Sequence, residues 1–147
     1  MKRRSLKKYN KGFSLVELIV VVLIMAIIAV ALAPRVMRWV NESRVSADAY
    51  TYDTAVAAAQ DALSDEGVWK KCESISFTIT INGNTSGDTF IMDNTAPEEF
   101  ADEFYKHCGG RDAVSNIKLK QKGYEAIITV NKGDVVRTKA PSEKAGQ

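Results

Sequence analysis

The sequence predicts an α+β protein in which one long N-terminal helix packs on a small antiparallel β-sheet. Three features of its 147 residues lead to this prediction. An apolar block runs from Phe13 to Ala33 and contains one charged residue, Glu17. From Arg35 to Ser64 the pattern stays helical, without proline or glycine. After residue 74, apolar and polar residues alternate in short stretches, as in strands that bury one face.

The apolar block is long enough to cross a bilayer. As a helix, Phe13–Ala33 would extend about 31 Å, close to the thickness of the hydrocarbon core. An acid at the centre of a bilayer costs about 2.5–3.5 kcal/mol on insertion scales, and less near the end of a span. The block contains no basic residue to pair with Glu17. We therefore expect the partner of Glu17 to come from outside the block.

A basic leader precedes the apolar block. It carries six basic residues and no acid, and these are Lys2, Arg3, Arg4, Lys7, Lys8 and Lys11. Because positive residues remain on the cytoplasmic side of a membrane, we expect the leader inside and the chain after Ala33 outside. The whole chain has a formal net charge of +2, so the chain without its leader has −4. Membrane topology accounts for the six basic residues, so we do not interpret the leader as a nucleic-acid-binding arm.

Two ordinary interpretations of this block stay open. One is a single-pass signal anchor whose Glu17 lies among the headgroups. The other is a secretory signal peptide, since Ala31-Leu32-Ala33 has the small-x-small form of a cleavage site. Two features oppose the signal peptide. Pro34 would follow the cut directly, and the block exceeds the usual apolar region of about 7–15 residues.

The six residues Gly12-Phe13-Ser14-Leu15-Val16-Glu17 stand between the basic leader and the apolar block. This segment resembles the prepilin signature of type IV pilins and of the pseudopilins of type II secretion and competence systems. The resemblance covers about the first quarter of the chain. It implies that a prepilin peptidase cuts between Gly12 and Phe13 and methylates the new amino group of Phe13. It also implies that Glu17 is the fifth mature residue and that Pro34 matches the helix-bending proline of many members.

The charges give this pattern a purpose. Cleavage would create a cationic amine at Phe13, one helical turn from Glu17. In a fibre core of low dielectric constant an unpaired carboxylate is strongly destabilising, whereas a paired one is tolerated. Our hypothesis is that Glu17 pairs with the amine of a neighbouring subunit and so fixes the axial register. Phe13, Glu17 and Pro34 are therefore the predicted assembly residues.

The second half of the helix has one apolar stripe, at steps of three and four residues. The stripe consists of Val45, Ala49, Tyr52, Val56, Ala59 and Leu63. It is the predicted seat of the sheet. We expect the helix to end near Gly67 and a connector to span 65–74. The predicted strands are 75–81, 89–92, 114–120, 124–130 and 134–138.

A second helix is predicted between the strands. Thr95 can cap it, Glu98 occupies the capping-box position, and Gly109-Gly110 ends it. We expect His107 to interact with the helix dipole at its C-terminal end. The turn 82–88 is rich in asparagine and aspartate, but its spacing does not match a twelve-residue calcium loop.

The two cysteines lie outside the membrane in this topology. A bridge between Cys72 and Cys108 would close a loop of about 37 residues and contribute roughly 3–4 kcal/mol by chain entropy. We therefore predict a disulfide, with two free thiols as the alternative. A Cα separation above about 7 Å would exclude the bridge.

The sequence contains no histidine paired with a nucleophile, no glycine-rich phosphate cradle and no metal-ligand cluster. We therefore predict no catalytic residue, no metal and no cofactor, and a protein that is not an enzyme. The predicted organisation is a leader at 1–12, a membrane or fibre-core helix at 13–34, an outer helix at 35–64, a globular α+β head at 65–139 and a flexible tail at 140–147.

The resemblance implies a ladle-shaped structural subunit of a type IV pilus-like surface filament. The expected partners are other copies of the chain, the prepilin peptidase, the pilus assembly platform, the membrane before assembly, and a surface or polymer ligand. The subunit would be a single-pass membrane protein first and part of a cell-surface filament later. Adhesion, motility and DNA uptake are downstream uses that the sequence does not separate. The alternatives are a pseudopilin of a secretion or competence machine and a membrane-tethered adhesin that never polymerises.

The charge distribution also bears on partners. Residues 61–103 have a net charge of −8 and residues 111–147 a net charge of +4, which suits head-to-tail contacts between identical subunits. The acidic mature chain argues against sequence-independent DNA binding, although the basic last third leaves contact with a phosphate backbone open.

Overall fold

The computed structural model describes residues 13–83 and 89–141. The predicted leader with Gly12, residues 84–88 of the predicted turn and residues 142–147 of the predicted tail lie outside the described residues. The chain divides into two units, Met1–Val40 and Asn41–Gln147. The elements in order are α1 (Leu15–Ala62), α2 (Glu66–Cys72), β1 (Ser76–Asn82), β2 (Phe90–Met92), α3 (Glu98–His107), α4 (Arg111–Val114), β3 (Glu125–Asn131) and β4 (Asp134–Lys139).

The described part of the first unit, residues 13–40, consists of the beginning of α1 and the two residues before it. All of its side chains are exposed. Pro34 lies inside the helix. Proline has no backbone N–H, so it cannot make the bond to the carbonyl of Val30 that an ordinary residue would make. The predicted long apolar helix is therefore present, and it continues past Pro34.

The second unit is built around a four-stranded antiparallel sheet with the strand order β2-β1-β3-β4. Phe77, Ile79 and Ile81 of β1 are buried on one face of this sheet. Their cross-strand partners Val130, Ile128 and Ala126 on β3 are buried as well. Because successive side chains of a strand point to opposite faces, this pairing gives the sheet one continuous apolar face.

The later part of α1 packs in the same core. Tyr52, Val56 and Ala59 are buried, and the Tyr52 hydroxyl donates a hydrogen bond to the carbonyl of Ile127 at 3.3 Å. The predicted stripe is therefore present from Tyr52 onward. Val45 and Ala49, its first two members, are exposed. The sequence thus predicts the α+β class correctly, with a long helix packed on a small antiparallel sheet.

Aromatic rings fill the space between α3 and the sheet. Phe100 contacts Phe77 edge to face, with ring centroids 4.8 Å apart, and Phe104 stacks on Phe90 at 5.6 Å. Both α3 phenylalanines are fully buried. The helix begins at Glu98 with Pro97 as its N-cap and has no side-chain cap, so the predicted cap at Thr95 is wrong.

The predicted connector 65–74 is wrong in its first part, because residues 66–72 form α2. Asp65 precedes the helix, and its side chain accepts hydrogen bonds from the backbone N–H groups of Gly67 and Val68 at 2.8 and 3.2 Å. These bonds satisfy two of the free donors at the helix start. α1 ends at Ala62, and the Asp65 cap allows a new helix to begin at Glu66 despite the low helix propensity of Gly67.

The predicted strand 114–120 is also wrong. Val114 ends α4, and the following residues form a loop. The backbone N–H groups of Lys120 and Gln121 donate to the two carboxylate oxygens of Asp48 at 2.5 and 3.1 Å, and that of Leu119 donates to the carbonyl of Asn82 at 3.3 Å. This loop therefore makes its hydrogen bonds to a helix side chain and to the end of β1 instead of forming a strand ladder.

A candidate assembly site on the N-terminal helix

The apolar face of α1 is exposed in its first half. Between Leu15 and Leu32, fourteen large hydrophobic side chains are exposed, and the most apolar 18-residue window has a mean hydropathy of 3.2 with no residue buried. By length and composition this helix can cross a membrane. Removing that many side chains from water would contribute on the order of 20 kcal/mol. The segment therefore requires lipid or other protein chains around it.

Glu17 is the acid within this apolar surface, and its carboxylate has a local partner. Its Oε2 atom accepts a hydrogen bond from the backbone N–H of Ser14 at 3.0 Å. Ser14 directly precedes the first helical residue, Leu15, so Glu17 lies at the third position of the helix. This is half of a capping box, in which the acid bonds back to the N–H of the capping residue. The negative charge also lies near the positive end of the helix dipole, which is favourable.

This bond leaves capacity on the carboxylate. An ionised carboxylate has two oxygens and about four acceptor positions. Within the described residues, the hydrogen bond from Ser14 is the one recorded for Glu17, and it uses Oε2. Glu17 is exposed. Its Oε1 atom is therefore accessible to a cation from outside this stretch of chain.

The other predicted assembly residues lie at the two ends of the apolar block. Phe13, which precedes α1, is 88% exposed. Pro34 follows the block and is exposed within α1. The structure thus shows Phe13, Glu17 and Pro34 on one exposed segment, but the predicted cleavage partner Gly12 lies outside the described residues. Neither cleavage nor methylation is tested by this geometry, and both stay predictions.

The capping role of Ser14 was not predicted. The signal was available, because a serine followed three residues later by glutamate is the sequence pattern of a capping box. Asp48 was also overlooked. It is fully buried and holds the loop at Lys120 and Gln121. The residues near Asp48 in the sequence do not indicate this role, since the groups that it binds are 72 and 73 residues away.

The predicted disulfide is not shown, because both cysteines are free thiols in the structure. Cys72 ends α2, whose Lys71 pairs with Glu99 in the first turn of α3, whereas Cys108 follows the last turn of α3. Loop length predicted a favourable entropy of closure, but the structure shows the two thiols unbridged.

Burial raises the pKa of both thiols. It raises the pKa of Cys108 to about 11, and burial, with a smaller contribution from the Glu99 carboxylate, raises that of Cys72. A thiolate is the reactive form of cysteine, so neither residue is poised for nucleophilic chemistry.

His107 lies between two carboxylates. Its Nδ1 is 3.9 Å from Asp61 and its Nε2 is 3.9 Å from Glu103, which is longer than a hydrogen bond. Among the described residues there is no group of three or more histidine, cysteine or acidic side chains that could hold a metal ion. His107 lies in the last turn of α3, where its protonated form interacts favourably with the negative end of the helix dipole.

Comparison with known proteins identifies the segment that carries this geometry. The family model of the prokaryotic N-terminal methylation motif matches residues 7–33, which include Gly12, Phe13 and Glu17. This match confirms the resemblance drawn from Gly12–Glu17. No curated protein and no solved structure shows significant similarity to the chain.

Proposed function

We propose that this chain, which carries the prepilin signature of type IV pilins and pseudopilins, is the structural subunit of a type IV pilus-like surface filament. A prepilin peptidase cuts it between Gly12 and Phe13 and methylates the amine of Phe13. The mature chain then polymerises through its N-terminal helix. The observation that carries the proposal is the methylation motif, whose residues 15–33 form the beginning of α1 with an exposed apolar surface and one acid.

In the first step of this proposal, the precursor is anchored in the membrane before it assembles. The apolar residues of α1 lie in lipid, the leader stays in the cytoplasm and the α+β unit lies outside. The hydrogen bond from Ser14 to Glu17 reduces the cost of placing the acid at the edge of the hydrocarbon, because the carboxylate keeps one partner there. The subunit can therefore wait as a single-pass membrane protein until the assembly platform takes it up.

The second step is pairing between subunits. Cleavage creates a cation at Phe13. The Oε1 atom of Glu17, which has no hydrogen-bond partner among the described residues, accepts a hydrogen bond from the cationic amine of a neighbouring copy. In a core without water, loss of one member of a buried pair costs about 3–5 kcal/mol, because the other charge is left uncompensated. A subunit added one residue out of register would meet that cost. The pair therefore selects the axial position of each added subunit.

The motif is shared by pilins and pseudopilins, so it supports a pseudopilin of a type II secretion or competence machine equally well. Both uses need the same processing and the same pairing. The length of the fibres on cells, long for a pilin and short for a pseudopilin, separates the two.

The test compares Glu17→Gln and Glu17→Val with Glu42→Gln, an exposed acid further along α1. Glutamine can still accept the Ser14 hydrogen bond, since the capping box uses glutamate or glutamine, but it cannot pair with a cation. We expect all three variants to lose residues 1–12 and to begin with methylated Phe13 by mass spectrometry. We expect both Glu17 variants to lose most of their filaments and Glu42→Gln to keep them.

Two results would contradict the proposal. A surface form that retains residues 1–12 would exclude prepilin processing and would leave the membrane-tethered binding protein. Normal filaments from Glu17→Gln, with defective ones from Glu17→Val, would show that Glu17 serves as a helix cap and not as a charge partner.

A further inference from the structure

A short segment of α1 beyond the apolar block is also exposed, and neither the methylation motif nor the core accounts for it. This juxtamembrane segment comprises residues 35–40, Arg-Val-Met-Arg-Trp-Val, and all six side chains are exposed. Trp39 is 63% exposed. The motif match ends at residue 33, before the segment begins. Exposure of the apolar Trp39 ring to water is unfavourable, and the two arginines beside it are cationic. We therefore expect this segment to bind a partner with both apolar and anionic groups.

The two arginines and the tryptophan share one face of the helix. Arg38 is three residues and Trp39 four residues after Arg35, and side chains at these spacings are neighbours on a helix. In the described part of the chain, the arginines with a carboxylate partner are Arg111 and Arg137, and neither Arg35 nor Arg38 has one. Their guanidinium groups are therefore free to bind an external anion.

Helix geometry places this face at the level of the lipid headgroups. If Phe13 lies at the inner edge of the hydrocarbon, a helix tilted by about 20° raises Arg35 by roughly 31 Å and Trp39 by roughly 37 Å. The hydrocarbon is about 30 Å thick, and the headgroups extend the bilayer to about 40–45 Å. The headgroup layer on each side is therefore about 5–7 Å thick, so the Cα of Arg35 lies at its inner edge and that of Trp39 at its outer edge. Because helical side chains tilt toward the N-terminus, the Trp39 ring is directed back toward the hydrocarbon.

We infer that Arg35, Arg38 and Trp39 form a binding site for the phosphate headgroups of anionic phospholipids in the outer leaflet, an inference that rests on the membrane-anchored precursor proposed above. Guanidinium groups bind phosphate with two parallel hydrogen bonds. Tryptophan prefers the interface, where its ring contacts acyl chains and its N–H reaches polar groups. The site sets the depth of the waiting subunit and positions Glu17 at the opposite edge of the span.

A second copy of the chain is the competing occupant of this face. Within residues 35–40 the charged side chains are two arginines and no acid, and the next acid is Glu42. Two identical copies of this segment would bring like charges together, which favours lipid. Continuity with the apolar block favours lipid as well, since the part of α1 that is apolar enough to cross a bilayer ends just before Arg35.

The test uses the full-length chain with Trp69→Phe, which leaves Trp39 as its single tryptophan. The protein is placed in vesicles that mix phosphatidylcholine and phosphatidylglycerol, with one or the other lipid brominated, and the quenching of Trp39 is measured. Each basic residue near an anionic membrane surface increases the affinity for that surface by roughly fivefold. We expect brominated phosphatidylglycerol to be preferred at Trp39 by fivefold or more, and Arg35→Gln with Arg38→Gln to bring the ratio to about one. Arg44→Gln, six residues after Arg38, is the matched control and should leave the ratio unchanged.

Three results would overturn the inference. The first is equal quenching by the two lipids in the parent protein, and the second is a preference that survives the double variant. The third is quenching by neither lipid, with protection of Trp39 that disappears as the protein is diluted, which would assign the face to a second copy. Extraction with alkaline carbonate is measured alongside. A chain that stays in the membrane without lipid preference refutes the headgroup site alone, whereas a chain that is extracted refutes the membrane anchor.

Discussion

Asp48 offers the sharpest test of how the second unit is held together. Its carboxylate is fully buried and accepts hydrogen bonds from the backbone N–H groups of Lys120 and Gln121 at 2.5 and 3.1 Å. Asp48→Ala removes both acceptors at once. The loop that was mistaken for a strand would then have two donors that face an apolar methyl group.

The size of the effect follows from these contacts. A hydrogen bond to a charged group is worth about 1.5–3 kcal/mol, and each buried donor left without a partner costs about 1–3 kcal/mol. Burial of the carboxylate has a desolvation cost of its own, which the substitution relieves. We therefore expect Asp48→Ala to lower the free energy of unfolding by roughly 2–4 kcal/mol.

The assay is urea unfolding of the full-length chain in detergent, followed by the fluorescence of Trp69 in a Trp39→Phe background. Trp69 packs against the β3–β4 turn, where a Cβ on Gly133 would lie 2.6 Å from its Nε1 atom. With a denaturant dependence of about 1–2 kcal/mol per molar, the midpoint should fall by roughly 1–4 M. Amide hydrogen exchange should show Lys120 and Gln121 losing protection.

Asp53→Ala is the matched control for Asp48→Ala. Asp53 lies five residues further along α1, is exposed and pairs with Arg137 at 2.6 Å. Exposed ion pairs contribute about 0–1 kcal/mol, so this variant should barely move the midpoint. Equal shifts for Asp48→Ala and Asp53→Ala would refute the argument that the buried carboxylate holds the loop.

Two further predictions concern the same unit. Gly83→Ala should lower the free energy of unfolding by about 1–3 kcal/mol or more in the same assay. The reason is that the added Cβ would lie 1.9 Å from the backbone oxygen of Gln121. Unchanged stability would mean that the loop can move aside at no cost. Cys108 should be alkylated at pH 8 at least tenfold more slowly in the folded protein than in urea, since burial raises its pKa from 9.0 to about 11 and depletes the thiolate. Equal rates would contradict this burial, and a mass two hydrogens lower under non-reducing conditions would contradict the free thiols.

Much of this protein is predictable along the chain, because the signals are local. A run of apolar residues with one acid predicts the exposed helix and the motif segment around Glu17 without any knowledge of the fold. Alternation predicts β1 and β3, since a strand that buries one face must repeat every two residues. The Ser14–Glu17 cap could also have been predicted, because the two residues are one helical turn apart.

Only the tertiary structure decides the rest, because the groups concerned are distant in sequence. Asp48 becomes a buried anchor through donors more than seventy residues away, and their bonds convert a strand-like pattern at 114–120 into a short helix and a loop. The cysteines have a spacing that suits a disulfide, yet both are free thiols in the structure. Hydrogen-bond partners and side-chain separations across the fold depend on how the elements pack, and residue patterns within one element carry no record of that packing.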